Sequence, residues 1–310
     1  MSVDCLAHLA QALQRYAPGV HRLASPASFA KASALPAGLS AFYQQWNGAD
    51  LFHESLRIRA VEEVEADLGR WMVAELGRDT IHVDREGAVW RLEDDTGDLI
   101  HDGTRFDRWL DGWVDGESIL YDTDGEFLDF ILDEDGELTP QAALDREQRA
   151  HKRDKKAAGP WWRLARALAR QGELAAARAE LEGVVAEHPQ FGWAWFDLSR
   201  ISEQLGEADG ALEEAVAAAQ ADPEYEHTAY FWAHAARLAA TAGDEPRRAD
   251  LAARALARDP DLARTQREGA AAQAAEGSVN EARELLAIAL ALAPRDLEAL
   301  ALQKQLELKI

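Results

Sequence analysis

The spacing of hydrophobic positions changes several times along the chain, and each change predicts an element. Residues 3–17, VDCLAHLAQALQRYA, repeat at helical spacing, and a loop with Gly19 and Pro26 follows. In LPAGLSAFYQQWNGADLF (35–52), Leu39, Phe42, Tyr43 and Trp46 recur at i, i+3, i+4 and i+7, which is one apolar helix face. Leu35-Pro36 opens this helix, since proline suits a first turn, and Asn47-Gly48 closes it. SLRIRAV (55–61) reads as a strand. The period then falls to two. IHVDREGAVWRLEDDTGD (81–98) predicts strand, turn and strand, with Ile81, Val83, Val89 and Leu92 facing inward. TRFDRWLDGWV (104–114) returns to helical spacing through Phe106, Trp109, Leu110 and Trp113. FLDFILDEDGEL (127–138) predicts another strand with a tight turn. A helix opens at Thr139-Pro140 and runs into the basic stretch HKRDKKAAGP (151–160), where Pro160 interrupts it.

Beyond residue 147 alanine dominates, with leucine and arginine, at helical spacing. Glycines fall at Gly172, Gly206, Gly243 and Gly277, separated by 34, 37 and 34 residues. Prolines fall at Pro189, Pro223, Pro260 and Pro294 with the same separations, each 17 residues after its glycine. Two independent punctuation marks thus share one period. The glycine allows a tight turn between two helices, and the proline ends the unit because it cannot continue a helix. Each unit is a helical hairpin that cannot bury its apolar side alone, so the units stack. The three extra residues of the middle interval fall in EYEHT (224–228), between hairpins.

This array resembles the tetratricopeptide repeat family. Aligned on the proline, Trp161, Leu164, Ala165, Leu168, Gly172, Ala177, Leu181, Val184 and Pro189 take the signature positions of a first unit. Three further units follow, less regular toward the end, with Arg248 at a usually small position and Gln266 where a tryptophan is expected. The resemblance implies an all-α solenoid. In it Trp161, Trp195 and Trp232 pack between the two helices of each hairpin. Trp162, Trp193, Phe196, Tyr230, Arg264 and Arg267 then line the concave face. Arg166, Arg200 and Arg237 stand one turn further along the first helices, with Arg170 beside them, and form a ladder next to an aromatic shelf. Arginine stacks on rings and forks onto carboxylates, so a groove for an acidic or C-terminal peptide is expected. The competing reading is that these arginines pair with glutamates on neighbouring helices.

Charge is uneven. The net charge is −23 over 310 residues; residues 1–146 hold 29 acidic and 12 basic side chains, which gives −17. Within 79–137 there are 20 acidic against 4 basic residues. Such a field repels nucleic acid and favours basic partners, with Asp94, Asp95, Asp98, Asp122, Asp124, Asp133 and Asp135 as the candidate acidic face. No apolar run reaches the length of a membrane span, and no signal peptide is evident, so a cytoplasmic address is expected. The single Cys5 permits no intrachain disulfide.

Candidate chemistry is thin. DTDGE (122–126) and DEDGE (133–137) hint at calcium, but glycine stands fourth where an EF-hand loop needs it sixth, and Asp-Gly is also a common hairpin turn. No two of the nine histidines form a zincin-type pair. There is no phosphate-binding or nucleotide-binding glycine motif, and no G-x-S-x-G. A non-catalytic protein without metal or cofactor is expected.

The first half resembles the SUKH superfamily, through Leu35-Pro36, Phe42, Asn47-Gly48, the strand pair around Gly87 with Trp90, and Phe106, Trp109 and Leu110 in the late helix. The resemblance implies an α+β domain over 1–146, with helices on a small, mainly antiparallel sheet. A basic helical linker (147–159), four hairpins (160–294) and a capping helix (295–310) complete the expected organisation. It also implies an immunity protein that neutralises a toxin domain by occlusion, the acidic field suiting a basic toxin. An adaptor that joins two protein partners is the alternative. Docking of the acidic domain on the arginine ladder is a further expectation.

Overall fold

The computed structural model describes residues 5–27, 29–67, 69–134 and 136–307. An antiparallel sheet region is followed by a run of helices, and the chain divides into two compact units, Met1–Glu180 and Leu181–Ile310. The elements run α1 (Cys5–Leu13), β1 (Arg22–Leu23), α2 (Phe29–Ala32), α3 (Ala37–Gln45), β2 (Ala49–Leu51), β3 (Leu56–Ile58), β4 (Glu65–Asp67), β5 (Arg70–Leu76), β6 (Asp79–Asp84), β7 (Val89–Leu92), β8 (Leu99–Gly103) and α4 (Phe106–Glu117). A 3₁₀ turn (Asp129–Ile131) precedes α5 (Pro140–Arg153), α6 (Ala158–Arg170) and α7 (Leu174–Glu187). Then come α8 (Gly192–Gln204), α9 (Ala208–Ala221), α10 (Thr228–Thr241), α11 (Glu245–Arg258), α12 (Leu262–Glu276), α13 (Val279–Leu292) and α14 (Leu297–Glu307).

Among the described residues the sheet has eight strands, all antiparallel, in the order β1-β2-β3-β5-β6-β7-β8, with β4 paired to β5. The alternation expected at 81–98 is present: Ile81, Val83 and Val89 are fully buried, while Leu92 is half-buried. Leu39, Phe42 and Tyr43 of α3 meet Phe106 and Leu110 of α4 in the same core. Gly48 ends the α3 segment at φ +101°, and a Cβ there would lie 2.9 Å from the Ile58 carbonyl oxygen, so only glycine fits. The strand expected at 127–138 is replaced by the 3₁₀ turn and two isolated bridges, Tyr121 to Phe127 and Leu132 to Leu138.

The basic stretch also differs from expectation. The break lies at Asp154–Ala157, and Pro160 sits in the first turn of α6, where its missing N–H costs nothing. Both α5 and α6 pack on the sheet region, and ion pairs show why. Arg163 of α6 donates from Nη2 to Asp102 of β8 at 2.8 Å and from Nε to Glu147 of α5 at 3.2 Å. Trp109 of α4 donates its indole N–H to the same Asp102 at 2.8 Å. Asp154, at the end of α5, accepts from Thr104 N at 2.6 Å and from its hydroxyl, just ahead of α4. The Arg163 guanidinium, together with Arg91 and the Trp109 bond, outweighs burial and holds the Asp102 carboxyl below its ordinary range.

The repeat punctuation has one structural meaning. Gly172, Gly206, Gly243 and Gly277 all adopt left-handed φ, between +75° and +93°. In each case the residue after the glycine donates its N–H to a carbonyl five positions back: Glu173 to Leu168, Glu207 to Ser202, Asp244 to Ala239 and Ser278 to Gln273, at 2.9–3.0 Å. This closure satisfies carbonyls that the helix end leaves open. The prolines follow the ends of α7, α9, α11 and α13 by two residues. The extra residues lengthen the loop between α9 and α10, as the spacing requires.

Two measurements check this account. Gly206→Ala forces a side chain into a left-handed backbone and is expected to lower stability in urea by about 1 kcal/mol. Gly210→Ala, inside α9 with only Glu207 Oε2 at 4.0 Å from the new methyl, should raise it by about 0.5–1 kcal/mol. The second test concerns Glu117. Burial pushes its carboxyl up to about 6, partly offset by Arg146. A carboxyl raised by folding costs nothing below its unfolded value of 4.5, costs more as pH climbs to about 6, and then levels off. Glu117→Gln should therefore gain stability over the native chain across that window, reaching about 2 kcal/mol. A difference independent of pH would contradict it.

Candidate partner-binding surfaces

The sequence offered two surfaces. The first is the aromatic and arginine set of the repeats. Within the second unit, Phe196 is buried at 5% exposure and packs on Tyr230, Phe231 and His234, with ring centroids 5.5, 5.5 and 4.8 Å away. Trp193 is half-buried. It meets Phe196 and Phe231 edge-on and donates its indole N–H to the Tyr225 hydroxyl at 2.7 Å. His227 lies 5.4 Å from the same ring. Tyr225 and His227 belong to the inserted EYEHT segment, so the insertion covers the shelf that was expected to be open. Trp162, in the first unit, is also buried, at 5%. Trp161 and Trp195, expected in the core, are instead half-buried. Trp161 donates to Glu180 Oε2 at 2.6 Å, and Trp195 to the Pro189 carbonyl at 3.0 Å. Trp232 is buried at 7%, beneath Arg254. The reason for the exchange is that a stacked hairpin has a neighbouring hairpin as well as its own second helix.

The arginines do not act alike. Arg237 forks onto Glu203 of α8 with bonds of 2.8 and 2.6 Å, one repeat away. Arg267 reaches Asp296 at 2.8 Å and Glu298 at 3.0 Å. Arg264 is exposed between Asp261 and Glu268. Arg200 is exposed, 3.6 Å from Glu284 and 6.0 Å from the Phe196 ring. Arg166 lies 4.8 Å over Trp162 and is exposed, as is Arg170. The expected ladder is therefore uneven: Arg237 and Arg267 are bound within their own unit, which is the competing reading of the sequence. Burial, with Arg237 and Arg200 adding to it, holds the His234 imidazole down to about 3. It stays neutral beside the Ser199 hydroxyl at 3.2 Å, where Ser199 donates to the Ala211 carbonyl. Tyr230 is half-buried, and burial raises its phenol.

The second surface is the acidic face. Asp94 and Asp95 are exposed and share Arg78. Asp98 is buried at 4%, and its carbonyl accepts from Glu93 N where the β7–β8 turn closes. Asp135 lies outside the described residues. Asp122, Asp124 and Asp133 are exposed on two turns. Asp122 Oδ1 accepts from the N–H groups of Asp124 and Glu126 at 2.9 and 3.0 Å, and Asp133 Oδ1 accepts from Glu137 N at 2.9 Å. The backbone closes each turn from Asp122 N to the Glu126 carbonyl and from Asp133 N to the Glu137 carbonyl. These carboxylates thus hold turns together, as Asp commonly does. The first turn is anchored deeply. Gly125 is buried at φ +86°, and a Cβ there would strike His53 and Val20. Phe52, His53 and Glu54 run in left-handed backbone at φ 48°, 53° and 72°, which fixes His53 against that glycine. Ala17 N donates to the Thr123 carbonyl at 2.7 Å.

Two features escaped the sequence reading. Much of the acid in 98–117 faces inward: Asp102, Asp107 and Asp111 are all at most 7% exposed. Phe130 faces outward, 77% exposed, with Phe127 at 49% beside it. The acidic residues on either side of FLDFIL were the available signal for the second feature.

The Tetratricopeptide repeat family matches residues 158–201. No curated protein matches the chain. Among solved structures, a thermophilic repeat protein from Thermus thermophilus is 23% identical, covering 55% of this chain and 91% of its own, with a TM-score of 0.36. YrrB, a repeat protein with an unusual peptide-binding site, is 18% identical over 53% of this chain and 84% of its own, with a TM-score of 0.36. The Pseudomonas aeruginosa pilF protein is 15% identical over 55% and 75%, with a TM-score of 0.39. No helix among the described residues is long and apolar enough to cross a membrane. Residues 158–201 are a tetratricopeptide repeat.

Proposed function

We propose that this is a non-catalytic protein-binding protein whose acidic sheet unit takes a basic protein domain, in the manner of an immunity protein that neutralises a toxin by occlusion. The observation that carries the reading is the pair of Asx-closed turns at 122–126 and 133–137. They hold exposed carboxylates at set positions, the first from a buried anchor. Charge held in place binds better than charge on a mobile chain, because less ordering is left for the moment of contact. Carboxylates so placed steer a basic partner and can stand in for the phosphates a nuclease would grip. Helices packed on an antiparallel sheet, with α4 late in the order, agree with the SUKH-like domain that the sequence suggests.

The adaptor reading keeps one specific support, which is the repeat itself at residues 158–201. Stacked helical hairpins offer extended surfaces on which a peptide or protein can lie. On this reading Arg166 and Arg170 are exposed arginines of the matched repeat, and Arg237 and Arg267 are engaged by carboxylates of their own unit. Docking of the acidic unit on an arginine ladder forms no part of the proposal.

The test uses replacements that preserve the turns. Asn at 122 and 133 keeps the Oδ1 acceptor and removes the charge, and Asp124→Asn, Glu126→Gln, Glu134→Gln, Asp135→Asn and Glu137→Gln remove the other carboxylates of the two stretches. Association with a basic ribonuclease as probe should slow at least about tenfold at low salt, and its salt dependence should flatten. Equal association rates for the two proteins would overturn the reading.

A further inference from the structure

The strongest unexplained feature of the first unit is an aromatic ring in water. Phe130 is 77% exposed in a 3₁₀ turn whose neighbour Ile131 is buried at 4%. Exposing one ring is ordinary, but this one forms a wall. Between it and α5 lies an open groove of about 560 Å³, with Ile119, Ile131 and Ala142 lining it and Asp145, Gln148 and Arg149 on the helix side. Ala142 is 7% exposed and Ile119 half-buried, and with Ile131 they form an apolar patch beside the polar Thr139, Gln141 and Gln148. The turn cannot simply fold its ring away. Ile131 N bonds to the Leu128 carbonyl at 3.0 Å, and Thr139 N to the Ile131 carbonyl at 2.8 Å. Ile131 already fills the inward position, which leaves Phe130 facing out.

Acid outnumbers base beside this groove. Asp145 lines it, and Asp129, Asp133, Glu134 and Glu137, all exposed, stand close to Phe130 in the chain. The cation on its lining, Arg149, is 3.5 Å from Asp115. An apolar patch with an aromatic wall and carboxylates nearby is complementary to a segment that carries an apolar side chain between lysines or arginines. Nucleic acid and anionic lipid are repelled by the same carboxylates.

We infer that the Phe130 groove is the anchor point of the acidic surface, where a basic amphipathic segment of a protein partner seats an apolar side chain against Phe130. This inference rests on the proposed basic partner and adds a site to it. Long-range charge brings the partner in, and the ring supplies the short-range contact that slows its departure. Aromatic anchors in grooves are the residues whose truncation costs interfaces most.

The experiment separates the two claims. Two synthetic peptides of equal length and equal positive charge serve as probes, one of lysine and leucine with amphipathic spacing, the other of lysine and serine. Binding to the full chain is measured by isothermal titration at two salt concentrations, with Phe130→Ala and Phe130→Ser compared after circular dichroism shows native folding. The lysine–leucine peptide should bind the native chain about tenfold or more tighter than the lysine–serine peptide, and both variants should abolish that difference. If the variants keep the leucine advantage, or if the native chain shows none, the groove is no anchor, while charge-driven binding of both peptides would leave the acidic reading intact. If neither peptide binds at low salt, both claims fail together.

Discussion

The fold of the first unit depends on opposite charges brought into contact without water. Asp102 on β8, Asp111 on α4 and Glu147 on α5 are buried and Glu117 on α4 is largely covered, and cations that answer them come from α5 and α6. Leaving a buried charge unpaired is far more costly than leaving an exposed one so. The constraint therefore runs backwards along the chain: α5 and α6 lie on the sheet region, where they bring Arg163 to Asp102 and Arg146 to Glu117. Glycines make that approach possible. Cβ atoms at Gly112 and Gly116 would lie 3.1 Å from the carbonyl oxygens of Ala150 and Arg146. The late helix DRWLDGWVDGE thus has two working faces. Phe106, Leu110 and Val114 enter the core, while its acids and glycines receive α5.

The same principle explains why an arginine ladder in the repeats is a poor guide to binding. An arginine that recurs every repeat lies one repeat away from whatever acid the neighbouring helix carries. Arg237 meets Glu203 across 34 positions, and Arg247 meets Glu213 across the same interval. An arginine at a recurring position is thus consumed by an internal pair as readily as it is left for a partner. A three-residue insertion then decides the fate of the aromatics, because Tyr225 supplies the acceptor for Trp193 and closes over it.

Much of the architecture was legible. Glycine and proline spacing located every hairpin, since the closure it encodes is local: one left-handed residue and one carbonyl five positions back. Strand alternation at Ile81, Val83 and Val89 was legible for the same reason. What failed was non-local. FLDFILDEDGEL has strand-like composition, but Asp122 and Asp133 divert the backbone into turns, and each pairing ends after a single bridge. Trp161 and Phe196 exchanged roles because a helix face is defined by two neighbours, and spacing along one helix reports only that a face exists. The acidic face was half legible. Composition counts carboxylates without saying which way they point, so Asp98 was included and the outward Phe130 was passed over.

That distinction between inward and outward acid bears on how the net charge acts. Carboxylates buried against Arg146, Arg153 and Arg163 are cancelled within a few ångströms and contribute little to the field a partner meets. The exposed ones at Asp122, Asp124, Glu126, Asp129, Asp133, Glu134 and Glu137 lie in one stretch of sixteen residues that contains no lysine or arginine. A surface of this kind cannot be made more attractive to a basic partner by adding acid elsewhere, because at physiological salt distant charges are screened beyond roughly 8 Å. Its reach is short and its position is set by two turns. Contact quality therefore falls to whatever apolar group stands among the carboxylates, and in this stretch the outward ring is Phe130.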